Sequence, residues 1–242
     1  MIDLHSHILP KIDDGANNPA DSLNMARQAI EAGVTHMMCT PHIMEGIYEN
    51  TQLSIQAAYS LLTQALKDDG CSLKLSYAAE VRITPQILQW VNDNKIPFLG
   101  QWQGKHALLL ELPHSHIPAG TENLVKWLLK HNVQPIIAHP ERNRDIIAQY
   151  SKINMLKRAG CIFQVTAGSL TGRFSESIKT VAFKMLEDDL VNYIASDTHN
   201  VTRRPNDMGE AKKVVESEVG QQRALDLVLN VPLHITQDCI WG

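Results

Sequence analysis

Seven short apolar runs punctuate this chain, at residues 2–5, 36–40, 73–79, 107–111, 135–138, 162–166 and 191–196, and stretches with helical patterning separate them. Near-continuous apolar runs of this length suit parallel strands buried on both faces, because crossover helices cover both sides of such a sheet. The clearest helix opens at Asn18-Pro19, a capping side chain followed by Pro at the first helical position. It carries Leu23, Ala26 and Ile30 on one face and stops at Gly33. Further helices are expected over 52–67, 85–92, 121–131, 152–159, 177–187 and 209–219, with a last one near 222–229. About seven β-α repeats in 242 residues favour a closed α/β barrel over an open doubly wound sheet, which would also want a Gly-rich first turn that this chain lacks. No linker, low-complexity segment or repeat interrupts the pattern, so residues 1–242 are read as one domain.

Composition excludes several classes. A net charge of -4 argues against nucleic acid as a partner, which usually demands a basic field. No apolar run approaches the roughly 20 residues that span a bilayer, so no membrane insertion is expected. The start Met1-Ile2-Asp3-Leu4-His5 has no charged lead and no long apolar segment, which points to a cytoplasmic protein. Cys39, Cys71, Cys161 and Cys239 are scattered and form no CxxC pair, so they read as free thiols. A thiol-based phosphatase needs an Arg six residues after its Cys, where this chain has Glu45, Tyr77 or Ala167, and Cys239 lies too near the end.

Six of the seven runs end on a residue able to bind a cation. His5 and His7 follow the first, then His42, Glu80, Glu111 and His139, and finally Asp197 and His199; Asp14 lies just beyond the first. Residues two apart on an extended strand point the same way, so His5 with His7, and Asp197 with His199, could each serve one ion. The spacing is weak by itself, since His114-Ser115-His116 shares it and reads as a loop. Position makes the difference: in barrel enzymes the C-terminal rim of the strands is where active sites are built. Imidazoles and carboxylates without thiolates favour manganese, iron, zinc or magnesium over structural zinc. The donors are too many for one ion. Several carboxylate-bridged ions would lower the pKa of bound water and neutralise charge on a phosphoryl group under in-line attack. Arg142, in Ala138-His139-Pro140-Glu141-Arg142, and Arg204, shortly after His199, add guanidinium forks that match phosphate oxygens.

Together Met1-Ile2-Asp3-Leu4-His5-Ser6-His7, Asp13-Asp14-Gly15, Thr40-Pro41-His42, Ala79-Glu80, Ala138-His139-Pro140-Glu141-Arg142 and Ser196-Asp197-Thr198-His199-Asn200 resemble the polymerase-and-histidinol-phosphatase (PHP) superfamily. Within it the chain resembles the bacterial metal-dependent protein-tyrosine phosphatases of capsule and exopolysaccharide gene clusters. The resemblance implies a distorted, TIM-like (β/α)7 barrel with a trinuclear divalent site, manganese foremost. It places one ion on His5, His7, Glu80 and Asp197, a second on Glu80, Glu111 and His139, and a third on Asp14, His42 and His199. Arg142 and Arg204 match the catalytic, phosphate-binding arginines. The implied partner is the phosphotyrosine tail of a membrane-associated tyrosine autokinase controlling polysaccharide synthesis. The alternative is a small-molecule phosphomonoesterase such as a histidinol-phosphate phosphatase. Ile43-Met44-Glu45 after His42 departs from members that carry a basic residue or second His there.

The remaining histidines, His36, His106, His114, His116, His131 and His234, are expected to be structural or solvated, although His114 and His116 follow Glu111 closely enough to line the pocket. Tyr48 and Phe174 lie on loops that could overhang the rim and stack on a phenyl ring.

Overall fold

The computed structural model describes residues 1–242. Its strands in chain order are β1 (Ile2–Ser6), β2 (His36–Cys39), β3 (His42–Ile43), β4 (Lys74–Tyr77), β5 (Glu80–Arg82), β6 (Gln101–Trp102), β7 (Lys105–Glu111), β8 (Val133–Ala138), β9 (Ile162–Thr166) and β10 (Tyr193–Ala195). Pairing runs β1-β2-β4 in one segment and β10-β9-β8-β7-β5-β3 in another, with every pair parallel except the short β6 against β7. The chain passes directly from β2 to β3 and from β4 to β5, which joins the two segments on one side. On the other, Asp197 N–H donates to the His5 carbonyl at 2.8 Å and His7 N–H to the Thr198 carbonyl at 2.9 Å. The result is a closed barrel of seven staves, each at one of the seven apolar runs.

Two staves are broken. Pro41 has no N–H to give to the ladder, and the regular strands are interrupted at Thr40-Pro41 and beside it at Ala78-Ala79, although Thr40 N–H still donates to the Ser6 carbonyl, Ala78 N–H to that of Cys39 and Glu80 N–H to that of Pro41. The strands expected over 36–40 and 73–79 therefore resume as β3 and β5, so His42 and Glu80 open short second segments and do not close the first ones.

Inside the barrel Ile2, Leu4, Met38, Ala78, Ala107, Leu109, Ile136, Ala138, Tyr193 and Ala195 form a dry cluster. The alternate residues, such as Leu108, Leu110, Ile137, Phe163, Val165 and Ile194, face outward into the larger core beneath the helices. Leu99 and Ile235 close the N-terminal end of the barrel. Strand β1 departs from strict alternation. Its register against β2 slips between Asp3 and Ser6, and His5 reaches the inner face although Ile2 and Leu4 already lie there. A slip of this kind re-aims one side chain of a strand.

The helices follow their signals. Pro19–Glu31 is capped by Asn18, whose side chain accepts from Asp21 N–H, and Gln52–Asp69 starts at a reciprocal Thr51–Ser54 cap and ends at Gly70, in the left-handed region at φ 70. Short elements escaped expectation: β6 and the helices Arg144–Ala148, Ala167–Leu170 and Val231–Ile235 are too brief to carry a periodic pattern.

Candidate metal centre

All nine donors expected from the sequence meet at the C-terminal mouth of the barrel. Eight are buried, and only Asp14 is substantially exposed, at 46% of its side chain. Two stand on strained backbone, His139 at φ 34 and Asp197 at φ 52, a conformation uncommon for residues with a Cβ and concentrated at functional sites.

At the centre the Nε2 atoms of His5 and His7 face each other at 3.2 Å. Each ring's other nitrogen is already engaged: His5 Nδ1 with Gln164 Oε1 at 3.0 Å, His7 Nδ1 with Asp13 Oδ2 at 2.7 Å. Glu80 Oε2 lies 3.4 and 3.5 Å from the two Nε2 atoms, and Asp197 Oδ1 3.3 and 3.4 Å. Four donors spaced this way match the edges of a coordination shell with bonds of about 2.0–2.2 Å. Glu80 then reaches outward with both oxygens, Oε2 to His42 Nδ1 and Oε1 to His139 Nε2, each at 2.9 Å. Glu111 joins this side, 3.7 Å from His42 and 4.0 Å from His139. On the opposite flank Asp14 Oδ1 lies 3.3 Å from His199 Nε2 and 3.5 Å from His42 Nε2.

The buried polar atoms Glu80 Oε2, His42 Nδ1, Asp197 Oδ1 and His199 Nε2 make no hydrogen bond within the protein. Orphaned atoms are costly unless something satisfies them, and a cluster of divalent ions would satisfy all four. Charge balance agrees. Burial and then the neighbouring Glu80 charge push Glu111 up to about 7. Against the same burial, His5 and His42 hold Glu80 well below the usual carboxylate range. His139 falls to about 3 through burial and the charge of Arg142, and His199 to about 4 through burial and His7, leaving both neutral with a lone pair to offer. His5 and His7 rise despite burial, His5 through Glu80 and Asp197 and His7 chiefly through Asp13. The pocket calls for positive charge where these two rings meet, and an ion would supply it in place of protons.

Two guanidiniums close the mouth. Arg142 and Arg204 both pair with Asp197 Oδ2, while Oδ1 of the same carboxylate faces the imidazoles. Arg204 is presented by a tight loop in which Asn200 Oδ1 accepts from the main-chain N–H groups of Thr202, Arg203 and Arg204. Arg142 lies over the Phe174 ring at 5.0 Å, and Tyr48 runs nearly parallel to His42, ring centroids 5.5 Å apart. Both aromatics flagged from the sequence therefore border the site.

Sequence reasoning missed the residues behind the donors. Asp13 and Gln164 hold the far nitrogens of His7 and His5, and Arg82 donates to Glu111 Oε2 at 2.7 Å. A metal-binding imidazole usually donates its other N–H to such a group, so an acid beside Asp14 was the available signal. His114, expected to be structural or solvated, stacks against His139 at 5.6 Å and 9° and joins Glu111 and His139 as a donor group. Partial burial, then Arg142 and Arg82, lower its pKa to about 4. His116 stays at the surface with Ser115.

A parallel barrel that gathers imidazoles, carboxylates and guanidiniums at its C-terminal rim, on left-handed backbone at two donors, has the architecture of a PHP-type metallohydrolase. The chain belongs to the capsular polysaccharide synthesis CpsB/CapC family, whose model matches residues 1–237. It is 34% identical to the tyrosine-protein phosphatase YwqE of Bacillus subtilis over 241 residues, covering 100% of this chain and 94% of that one. It is 27% identical to the tyrosine-protein phosphatase CpsB of Streptococcus pneumoniae, covering 98% and 99%. The crystal structure of YwqE, described with CpsB as a metal-dependent tyrosine phosphatase, superposes with a TM-score of 0.85 over 98% of this chain and 92% of that one, at 34% identity. A lactonase from Listeria monocytogenes, at 12% identity, TM-score 0.55 and coverage of 97% and 93%, shares the fold alone.

Proposed function

We propose that this chain is a metal-dependent protein-tyrosine phosphatase acting as a single domain over residues 1–242. One observation carries the reading: a buried donor cluster shares Glu80, and two guanidiniums converge on the outer oxygen of its own Asp197. His5, His7, Glu80 and Asp197 would hold one ion, Glu80, Glu111 and His139 a second, and Asp14, His42 and His199 a third, with manganese the first candidate. Such ions supply a nucleophile from water near neutral pH and neutralise the phosphoryl charge.

The protein's own groups do the rest. Arg142 and Arg204 bind the phosphoryl oxygens, and Asp197 orients both forks before substrate arrives, so that little reorganisation is needed in the transition state. Arg204 Nε is buried without a partner and is free to donate. The two buried thiols offer no covalent route, since burial pushes Cys161 up to about 12 and raises Cys39 as well. The phenolate is a fairly good leaving group, and water or a rim imidazole suffices to protonate it.

The relatives' family and names support a protein phosphotyrosine substrate. We take it to be the tail of a membrane-associated tyrosine autokinase that governs capsular or exopolysaccharide synthesis, met from the cytoplasm. No helix is long and apolar enough to cross a membrane. The test is phosphate release from a phosphotyrosine peptide and from histidinol phosphate, side by side, with added manganese and with chelator. Chelator-sensitive turnover of the peptide supports the reading. Preference for histidinol phosphate would refute the protein substrate, and release from neither would refute the phosphatase.

A further inference from the structure

We infer that His114 is a fourth donor to the ion that Glu111 and His139 hold, an inference that rests on the metallohydrolase reading above. The donor atoms of Glu111, His114 and His139 all lie within 4.8 Å of one another. This position has three other donors, Glu80, Glu111 and His139, and Arg82 already takes one oxygen of Glu111. A further imidazole would complete a four-donor shell there.

The ring is also placed for the task. It lies beside His139, ring centroids 5.6 Å apart, which sets a His114 ring nitrogen within 4.8 Å of the His139 and Glu111 donor atoms. Its backbone is pinned on three sides: Arg144 N–H donates to the His114 carbonyl at 2.8 Å, and the Asn143 side-chain amide donates to the carbonyls of Pro113 at 2.8 Å and His116 at 2.9 Å. Asn143 is itself buried and caps the helix that follows Arg142, so the loop after β7 and the turn after β8 are locked together beside the site. Both His114 and His116 are exposed, but the His114 ring makes no hydrogen bond within the protein, whereas His116 pairs with Ser115 Oγ at 2.8 Å. Two histidines in one loop thus differ: one is tied to its neighbour and the other is left open toward the donors.

The test compares metal-free wild type, His114→Ala, His116→Ala and Glu111→Gln, titrated with manganese and with cobalt. Bound ions per chain are counted by mass spectrometry after equilibrium dialysis, and cobalt coordination is followed by visible absorption. We expect His114→Ala to weaken one ion by at least about tenfold, leave the others unchanged and alter the cobalt spectrum, the scale usual for losing one supporting group at a metal. His116→Ala should match wild type. Adding His114→Ala to Glu111→Gln should cost less than the two losses combined, because both act on the same ion. Wild-type affinity and an unchanged cobalt spectrum in His114→Ala would overturn the inference, as would weakening of all ions equally. Failure of the metallohydrolase reading shows separately: the wild type itself would then bind no divalent ion, which overturns both.

Discussion

Asp13 never touches the substrate in this account, yet its loss should be felt at the metal. Its buried carboxylate accepts from His7 Nδ1 at 2.7 Å, from Gly15 N–H at 2.9 Å and from His42 N–H at 3.2 Å. It thereby fixes the tautomer of one donor and the backbone of another. Burial opposes its charge, but His7 foremost holds its pKa below the usual carboxylate range. Asp13→Ala leaves those donors without an acceptor. Hydrogen bonds to a charged group are worth about 1.5–3 kcal/mol, and an orphaned buried donor about 1–3 kcal/mol, so a total stability loss of roughly 3–5 kcal/mol is expected. For a chain of this size that lowers Tm by roughly 10 °C. Loss of a partner behind a metal-bound imidazole typically weakens affinity by about 10–100-fold. Asp13→Asn keeps one acceptor oxygen and should recover part of both losses. Manganese titration of the metal-free variants, monitored by calorimetry alongside thermal melting, reads both effects. If Asp13→Ala binds manganese as tightly as wild type, the claim that Asp13 presents His7 is wrong.

Three further outcomes follow from the same geometry. At Gly15 a Cβ would sit 1.9 Å from the His7 carbonyl oxygen and 2.6 Å from its Cβ, so Gly15→Ala should displace His7 and lower both melting temperature and bound metal; an unchanged metal count would contradict this. Arg204→Ala should cut turnover of a phosphotyrosine peptide by about 10²–10³ while retaining every ion, and Lys should restore little because it lacks the fork; loss of metal instead would make Arg204 structural. In metal-free protein, Glu111 is raised in the folded state, so the folded form holds more protons than the unfolded one between about 4.5 and 7. Its contribution is full below that window and falls as pH rises through it, by on the order of 3 kcal/mol. His5 and His7, also raised, act in the same direction above their ordinary value, whereas His139 and His199, both lowered, oppose it below about 6.5. The melting temperature of metal-free protein should therefore fall between about pH 6.5 and 8, Glu111→Gln should flatten part of that slope, and a slope unchanged in the variant would contradict the assignment.

The staves of the barrel were legible because a strand buried on both faces must be apolar along its length, and 107–111 or 162–166 admit no other easy reading. The donors were legible because acids and imidazoles at the ends of such runs have to find partners. The breaks at Thr40-Pro41 and Ala78-Ala79 were not, because a local pattern does not report where a regular strand is interrupted. Nor was the register slip in β1 that turns His5 inward, which is settled by closure of the barrel against Asp197 and Thr198. Asp13, Gln164 and Arg82 escaped for a related reason: their roles depend on which ring nitrogen they meet across the fold. His114 looked like any loop histidine until the Asn143 contacts brought its loop against His139.

The central claim is that ions held by these nine donors carry phosphotyrosine hydrolysis. Back-titration of metal-free protein with manganese tests it, counting bound ions per chain while phosphate release from a phosphotyrosine peptide is followed in the same samples. Three ions per chain are expected, with turnover that appears only as they fill. Full turnover by metal-free protein, or none once the sites are saturated, would contradict it.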